Sequence, residues 1–329
     1  MGGAINLGLD MKKKIRRLLG FIVHHLLSER WVRIIKKPAL LPGYYKMFSD
    51  EIEPIIDSIP NEEMKDSEYW EVILRKSVHI LDKGLCRQDF EPGHSAQWYE
   101  TAKIALGKIG YPPELDPSVE WASSKIKEYE VRQTNPTISE QSFTANVVSE
   151  DDYHALLKVI QGRRSIRNFS NQPVESKKLN TIINVINWSP SSCNRQPAKV
   201  FIAEEAELVR QCAKTCAGAT CFSGDGACFI AFCADLRPYN LPEEFLLPDL
   251  DLGLGIQNCL LVAHALGISM TLLSWAQHTS EDDQLLRKLL KIPTHYRIVI
   301  NCLAGYPSQW TDVPARKSLD ATLVNITGD

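Results

Sequence analysis

At 329 residues the chain exceeds what one hydrophobic core comfortably serves, about 250–300 residues, so two units are expected. Hydrophobic residues make up 44% and charged residues 23%, the balance of a globular protein with a proper core rather than of a disordered or membrane-embedded chain. A net charge of -3 and a pI near 6.3 give no long-range attraction for phosphate backbones, which excludes nucleic acid as the expected ligand.

The first forty residues are locally basic, with Lys12, Lys13, Lys14, Arg16 and Arg17 ahead of the apolar run LLGFIVHHLL at 18–27. The run is too short to span a bilayer, which needs roughly 20 apolar residues. His24 and His25 inside it, and Ser28-Glu29-Arg30 after it, do not fit a secretory leader. An amphipathic helix remains, either docked on the protein or lying on an anionic membrane surface through residues 11–37.

Residues 1–130 read as a helical accessory region, with apolar positions at helix spacing in 50–58, 69–81 and 96–109. Gly84 stands where a C-cap glycine would end the second of these, and Gly110-Tyr111-Pro112-Pro113 closes the third. On the second helix His79 and Lys83 share a face at i, i+4, with Asp82 beside them. From 131 to 150 the composition turns polar without a sustained period and reads as a linker. Ser149 is placed to cap a new helix that carries Tyr153, Leu156, Leu157 and Ile160 on one face.

From 151 to 329 helical and strand patterns alternate, which signals a layered sheet. The expected order is helix 176–188, strand 199–203, helix 204–216, strand 227–233, helix 250–267, strand 268–273, helix 280–291 and strand 296–304. The nine cysteines show no paired C-x-x-C spacing, no disulfide framework is expected, and a reducing cytoplasm fits. Cys212, Cys216, Cys221, Cys228 and Cys233 cluster, but in strand patterns cysteine is a small buried hydrophobe. No metal site is expected. His264, inside an apolar helix, reads as a packing residue.

Two segments carry chemistry. In Arg163-Arg164-Ser165-Ile166-Arg167 three guanidinium groups and a hydroxyl fall together, and guanidinium forks match phosphate geometry with two parallel hydrogen bonds. A solvated basic face would give the same pattern. The loop Ser189-Pro190-Ser191-Ser192-Cys193-Asn194-Arg195-Gln196-Pro197 is rich in small polar side chains between a helix and a strand. Its amides suit the alternating donor and acceptor edge of a planar heterocycle, and a capped turn is the plainer reading.

RRSIRNF, SPSSCNRQP, the helix GLGIQNCLLVAHALG and a late strand ending in Gly305-Tyr306-Pro307 together resemble the nitroreductase family of FMN-dependent enzymes over residues 153–325. The resemblance implies an α+β fold, a central mostly antiparallel sheet flanked by helices, in a homodimer that holds FMN at the subunit interface. Arg163, Arg164, Ser165 and Arg167 would then grip the ribityl phosphate, with Arg316 near the carboxy end as a further phosphate ligand. Pro190, Ser191, Ser192 and Asn194 would reach the flavin of the opposite subunit, and the backbone at Leu273, Ser274 and Trp275 would face the pyrimidine side of the ring. The implied activity is an oxidoreductase taking electrons from NAD(P)H and passing them to an aromatic, quinone-like or pathway-specific small molecule. The alternative is a flavin-binding or flavinless scaffold on the same fold.

Two departures stand out. The connection between Ala234 and Asp249 is short where many family members carry a helical excursion over the flavin, and the stretch Gly218-Ala219-Thr220-Cys221-Phe222-Ser223 lacks the family's frequent asparagine. The helical first half, through His79 and Lys83, could fold over the flavin in place of that lid. A surface pair is the competing explanation.

Overall fold

The computed structural model describes residues 42–59, 65–87, 90–135, 148–219 and 222–324. The basic stretch 11–37 lies outside them, as does Cys221.

Five helices precede residue 135 among the described residues: α1 (Pro42–Glu51), α2 (Glu53–Ser58), α3 (Ser67–Leu85), α4 (Ala96–Lys108) and α5 (Pro117–Thr134). Leu74, Val78 and Leu81 of α3 pack with Ala102 and Ala105 of α4 and with Val119, Ala122 and Ile126 of α5. This is the i, i+4, i+7 stripe of an amphipathic helix closing on two neighbours. Gly84 does not end α3. The helix runs on to Leu85 and is capped at Cys86 with φ -76, and Gly84 is buried inside it, where an added Cβ would lie 3.0 Å from the His94 ring. The glycine permits close approach, not a turn. Helix α5 takes in 131–134 of the expected linker, because Asp116 caps it by accepting from the Ser118 and Val119 amides and Pro117 opens it.

The second half is α+β. Strands β1 (Ala198–Ala203), β2 (Cys228–Asp235), β3 (Ser269–Leu273) and β4 (Tyr296–Gly305) form one sheet in the order β1-β2-β4-β3 with each pair antiparallel. Every residue of β2 is buried, which explains its unbroken apolar run. Alternate side chains serve two cores, as the period of two requires. Ile230 and Phe232 meet α7 (Ser176–Asn184) and α9 (Leu247–Ala265), while Phe229 and Ala231 face α8 (Ala206–Lys214) and α10 (Ser280–Leu290). Helix α9 is long and apolar enough to cross a membrane by length and composition, yet it is the core helix beneath this sheet. Helix α6 (Glu150–Gly162) begins at a capping box between Ser149 and Asp152.

The two halves are tied by buried charge. Arg237, after β2, bonds to Asp235 and reaches Asp66 at the start of α3 with a distance of 3.0 Å. Burial pulls its pKa down, but Asp235 and Asp66 more than reverse this and leave it raised. Arg297 of β4 bridges Glu51 of α1 and Asp249 of α9 at 2.7 and 2.6 Å. Glu68 of α3 takes both Lys199 and the Tyr296 hydroxyl, and these partners outweigh the burial that would raise its carboxyl, holding it below the usual range. Phe48, Ile52 and Ile56 close over Leu236 and Phe245, so the short connection after β2 is covered by α1 and α2.

Six cysteines, Cys212, Cys216, Cys228, Cys233, Cys259 and Cys302, are buried free thiols, as expected of small hydrophobes. Burial pushes Cys216 up to about 11 and Cys212, Cys228, Cys233 and Cys259 up to about 12.

Candidate functional site

Segment 163–170 leaves α6 at Arg163, whose ψ of 135 breaks the helix, and runs beside the sheet edge at β3. Its backbone is pinned on both sides. The Thr271 hydroxyl donates to the Ile166 carbonyl at 2.6 Å, the Ser223 amide to Arg167 at 3.1 Å, and the Phe169 amide to Ser223 at 2.9 Å. Ile166 and Phe169 point into the core, which turns Ser165 and Arg167 outward. Gly224 allows this approach: its φ is +96, and an added Cβ would lie 2.0 Å from the Phe169 carbonyl oxygen. Gly224→Ala is expected to cost at least about 1–3 kcal/mol from the backbone conformation alone and to push 167–169 outward, read as a lower melting temperature.

The side chains are less committed than the backbone. Among the described residues Arg164 donates only to carbonyls, those of Gln161 at 2.6 Å and Arg163 at 2.7 Å. Among the described residues Arg163, Ser165 and Arg167 have no side-chain hydrogen bond and no carboxylate partner. His264 of α9 feels the result: burial first, then Arg163 and Arg164, hold its pKa below the ordinary value. Its ring packs on Gly162 and edge-on to Trp310. It is a packing residue, and it also marks one wall of the arginine cluster.

Loop 189–197 is over-determined. Ser192 gives both its amide and its hydroxyl to Asp251 of α9, at 2.9 and 2.8 Å, and Tyr239 donates to the other Asp251 oxygen at 2.8 Å. The Ser191 oxygen accepts from the Gln196 amide, and the Asn194 oxygen from the Gln196 side chain at 3.0 Å. Pro190 is exposed. Cys193, Asn194 and Gln196 all adopt left-handed φ, 54, 53 and 51, a conformation that non-glycine residues keep only under external constraint. The constraint is Arg195. It is 1% exposed, ion-paired to Glu244 and laid over the Tyr239 ring, and its carbonyl accepts from Arg75 of α3 at 3.2 Å. Helix α3 thus bears directly on the loop, and Arg195 is one of the charges that depress His79, after burial and Lys83 and against Asp82. Asp82 itself is paired with Lys125 at 2.9 Å.

Strand β3, bonded through Thr271 to the arginine segment, ends at Leu273. Ser274 then pairs with Ala217 in an isolated bridge, and Trp275 is buried and stacked on His278 with centroids 4.2 Å apart. Strand β3 therefore runs beside 164–166 through Ser269 and Thr271, and 273–275 follow at its carboxy end. The structure keeps the 190–194 loop elsewhere: Asp251 and His264 are thirteen residues apart on α9, about 20 Å at 1.5 Å per residue. Arg316 lies in an exposed tail, and among the described residues its guanidinium bonds only the Pro314 and Ala315 carbonyls.

Residues 160–224, which hold the pinned arginines and the strained loop, match the profile of the Nitroreductase family. The match covers this stretch alone. The nitroreductase-like half is similar to the oxygen-insensitive NADPH nitroreductase of Salmonella typhimurium, 27% identical over 177 residues, 51% of this chain and 71% of the relative. It is also similar to the NADPH-flavin oxidoreductase of Vibrio harveyi, 24% identical over 169 residues, 49% of this chain and 69% of the relative. A solved FMN-dependent nitroreductase from Clostridium difficile superimposes with a TM-score of 0.45 at 21% identity, covering 52% of this chain and 99% of its own. The relatives align to about half of this chain.

Residues that the sequence reading passed over are Arg75, Arg195, Tyr239, Glu244 and Asp251. Only Asp251 has a local signal, as the one acidic group of the apolar run 250–267.

Proposed function

We propose that the chain is an FMN-dependent oxidoreductase that draws electrons from NADH or NADPH and acts in the cytoplasm on a small aromatic or quinone-like acceptor. The observation that carries this reading is the set of guanidinium groups on Arg163, Arg164 and Arg167, which have no carboxylate partner among the described residues and stand on backbone pinned by hydrogen bonds. Three such cations within five residues, two of them acting together on His264, form a donor set that fits a phosphate ester. Arg163, Arg167 and Ser165 would hold the phosphate, Arg164 would add charge, and Arg316 would reach it from the tail. The backbone at Leu273, Ser274 and Trp275 would border the ring. When bound, FMN supplies a two-electron carrier, and the protein orients it and keeps water away.

The loop residues Pro190, Ser191, Ser192 and Asn194 then come from a second copy of the chain, since within one chain they are anchored about 20 Å from the arginines. Exposed apolar surface supports this. Helix α6 buries no residue and exposes Tyr153, Leu156 and Ile160, and Leu246, Leu250 and Leu254 form an uncovered stripe at the start of α9. Such contiguous faces mark interfaces.

The test is direct. The purified protein should be yellow and, without oxygen, bleach on addition of NADH or NADPH; it should sediment as a dimer, and Leu250→Glu with Leu254→Glu should give a monomer with weakened flavin affinity. A colourless protein that takes up no added FMN overturns the reading in favour of a scaffold. A phosphate dianion seated among the arginines should also raise the His264 pKa back toward its ordinary value, because it offsets the cations that depress it. Imidazole chemical shifts followed against pH with and without FMN measure this, and an unmoved His264 places the anion elsewhere.

A further inference from the structure

A cavity of about 620 Å³ lies between the amino-terminal helices and the sheet, and none of its lining residues belongs to 163–167. Its walls are α3, the start of α5, the turn after α7 and the start of β1. The size falls within the roughly 300–1,000 Å³ of ordinary small-molecule sites.

The charged groups in the lining are already engaged. Arg75 is tied to the Arg195 carbonyl and to Ser118, Glu68 to Lys199 and Tyr296, Glu71 to the Tyr111 hydroxyl, and Asp235 to Arg237. What remains is uncharged. Asn184 and Asn187 make no side-chain hydrogen bond among the described residues, and the Gln196 side-chain oxygen has no partner there either. Trp188 stands at the same wall with 81% of its surface in water, the most exposed aromatic side chain described. A large ring face beside two free carboxamides, Asn184 and Asn187, and the free oxygen of a third, Gln196, is the donor set that recognises a flat nitrogen heterocycle, by stacking on the face and by reading the donor and acceptor edge. Charge decides what that heterocycle carries. Glu68, Glu71, Asp116 and Asp235 outnumber Arg75, Lys199 and the Arg237 that holds Asp235, four negative groups against three positive, so a phosphate is disfavoured.

We propose that this cavity is a binding site for a phosphate-free nucleobase or nucleoside, stacked on Trp188 and read along its edge by Asn184, Asn187 and Gln196. Its residues and those of the arginine cluster are separate sets, and it meets the flavin reading only through Gln196, which bonds Ser191 and Asn194.

Calorimetric titration of the full chain with adenosine, guanosine, cytidine and uridine tests it. At least one should bind saturably, one per chain, with a submillimolar dissociation constant. Trp188→Ala, a change at an exposed position, should weaken that binding about 10-fold or more, whereas Trp188→Phe should retain most of it. The 5′-monophosphate of the best nucleoside should bind about 10-fold more weakly, and Arg163→Ala should leave nucleoside binding unchanged. The proposal is overturned if none of the four binds up to millimolar concentration, if Trp188→Ala has no effect, if the monophosphate binds more tightly, or if Arg163→Ala abolishes binding. That last outcome would assign the nucleoside to the arginine cluster. Loss of flavin binding with nucleoside binding intact would count against the proposed function alone.

Discussion

Arg163→Ala is expected to weaken FMN binding roughly 10- to 100-fold while leaving riboflavin binding almost untouched. A hydrogen bond to a charged group contributes about 1.5–3 kcal/mol, and each 1.4 kcal/mol is about tenfold in affinity. Arg163 has no other partner among the described residues, so its whole donor set is available to a phosphate. Arg164 already serves the Gln161 and Arg163 carbonyls and should matter less. Arg163→Lys should recover only part of the loss, since an ammonium group cannot make the paired bonds of a guanidinium. Fluorescence titration of flavin-free protein with FMN and riboflavin in parallel measures the difference. If both flavins weaken equally, the substitution has damaged the ring site or the fold, and the phosphate assignment fails.

The second large effect concerns stability. Arg237→Leu is expected to destabilise the protein by about 3–5 kcal/mol, the usual cost of leaving a buried ionic partner without its counter-charge. Asp235 is 4% exposed and takes two of the Arg237 side-chain nitrogens, so its carboxylate would remain buried with the backbone amide of residue 237 but without this guanidinium. Asp66 would lose the same guanidinium and with it part of the bond between α3 and the sheet. A fall of about 10 °C in melting temperature is expected, and the double change Arg237→Leu with Asp235→Leu should recover much of it. A single substitution that shifts the midpoint by only a degree or two would mean that water replaces the guanidinium and that the two halves are held by their apolar contacts.

Much of the second half was legible because its signals are local. The unbroken apolar run of β2, the hydroxyl at Ser149 ahead of three acidic residues, and the alternation of helical and strand periods each reflect forces acting within a few residues of one another. The arginine segment was legible for the same reason, since three cations and no anion are visible without a fold. Gly84 was misread because a glycine near a helix end means a left-handed cap when alone and close packing when a neighbour such as His94 presses on it, and only the fold supplies the neighbour. Helix α5 was passed over although Asp116-Pro117 is a strong helix start. The left-handed residues of the 189–197 loop carry no mark in composition, because Cys193 and Gln196 adopt that conformation only under the grip of Arg195, Glu244 and Arg75. Those pairings join residues far apart in the chain, and no periodicity encodes them.

The burial of the thiols bears on how such a protein would survive oxidants. With pKa values pushed up to about 11 or 12, Cys212, Cys216, Cys228, Cys233 and Cys259 present at neutral pH a thiolate fraction on the order of one part in ten thousand or less. Peroxide attacks the anion, so these sulfurs are shielded twice, by lack of access and by lack of charge. Among the described residues, only Cys86 and Cys193 are open to solvent. A thiol reagent would therefore mark, among the described residues, two places, the end of α3 and the strained turn held by Arg195, and alkylation at Cys193 would report whether that turn keeps its shape.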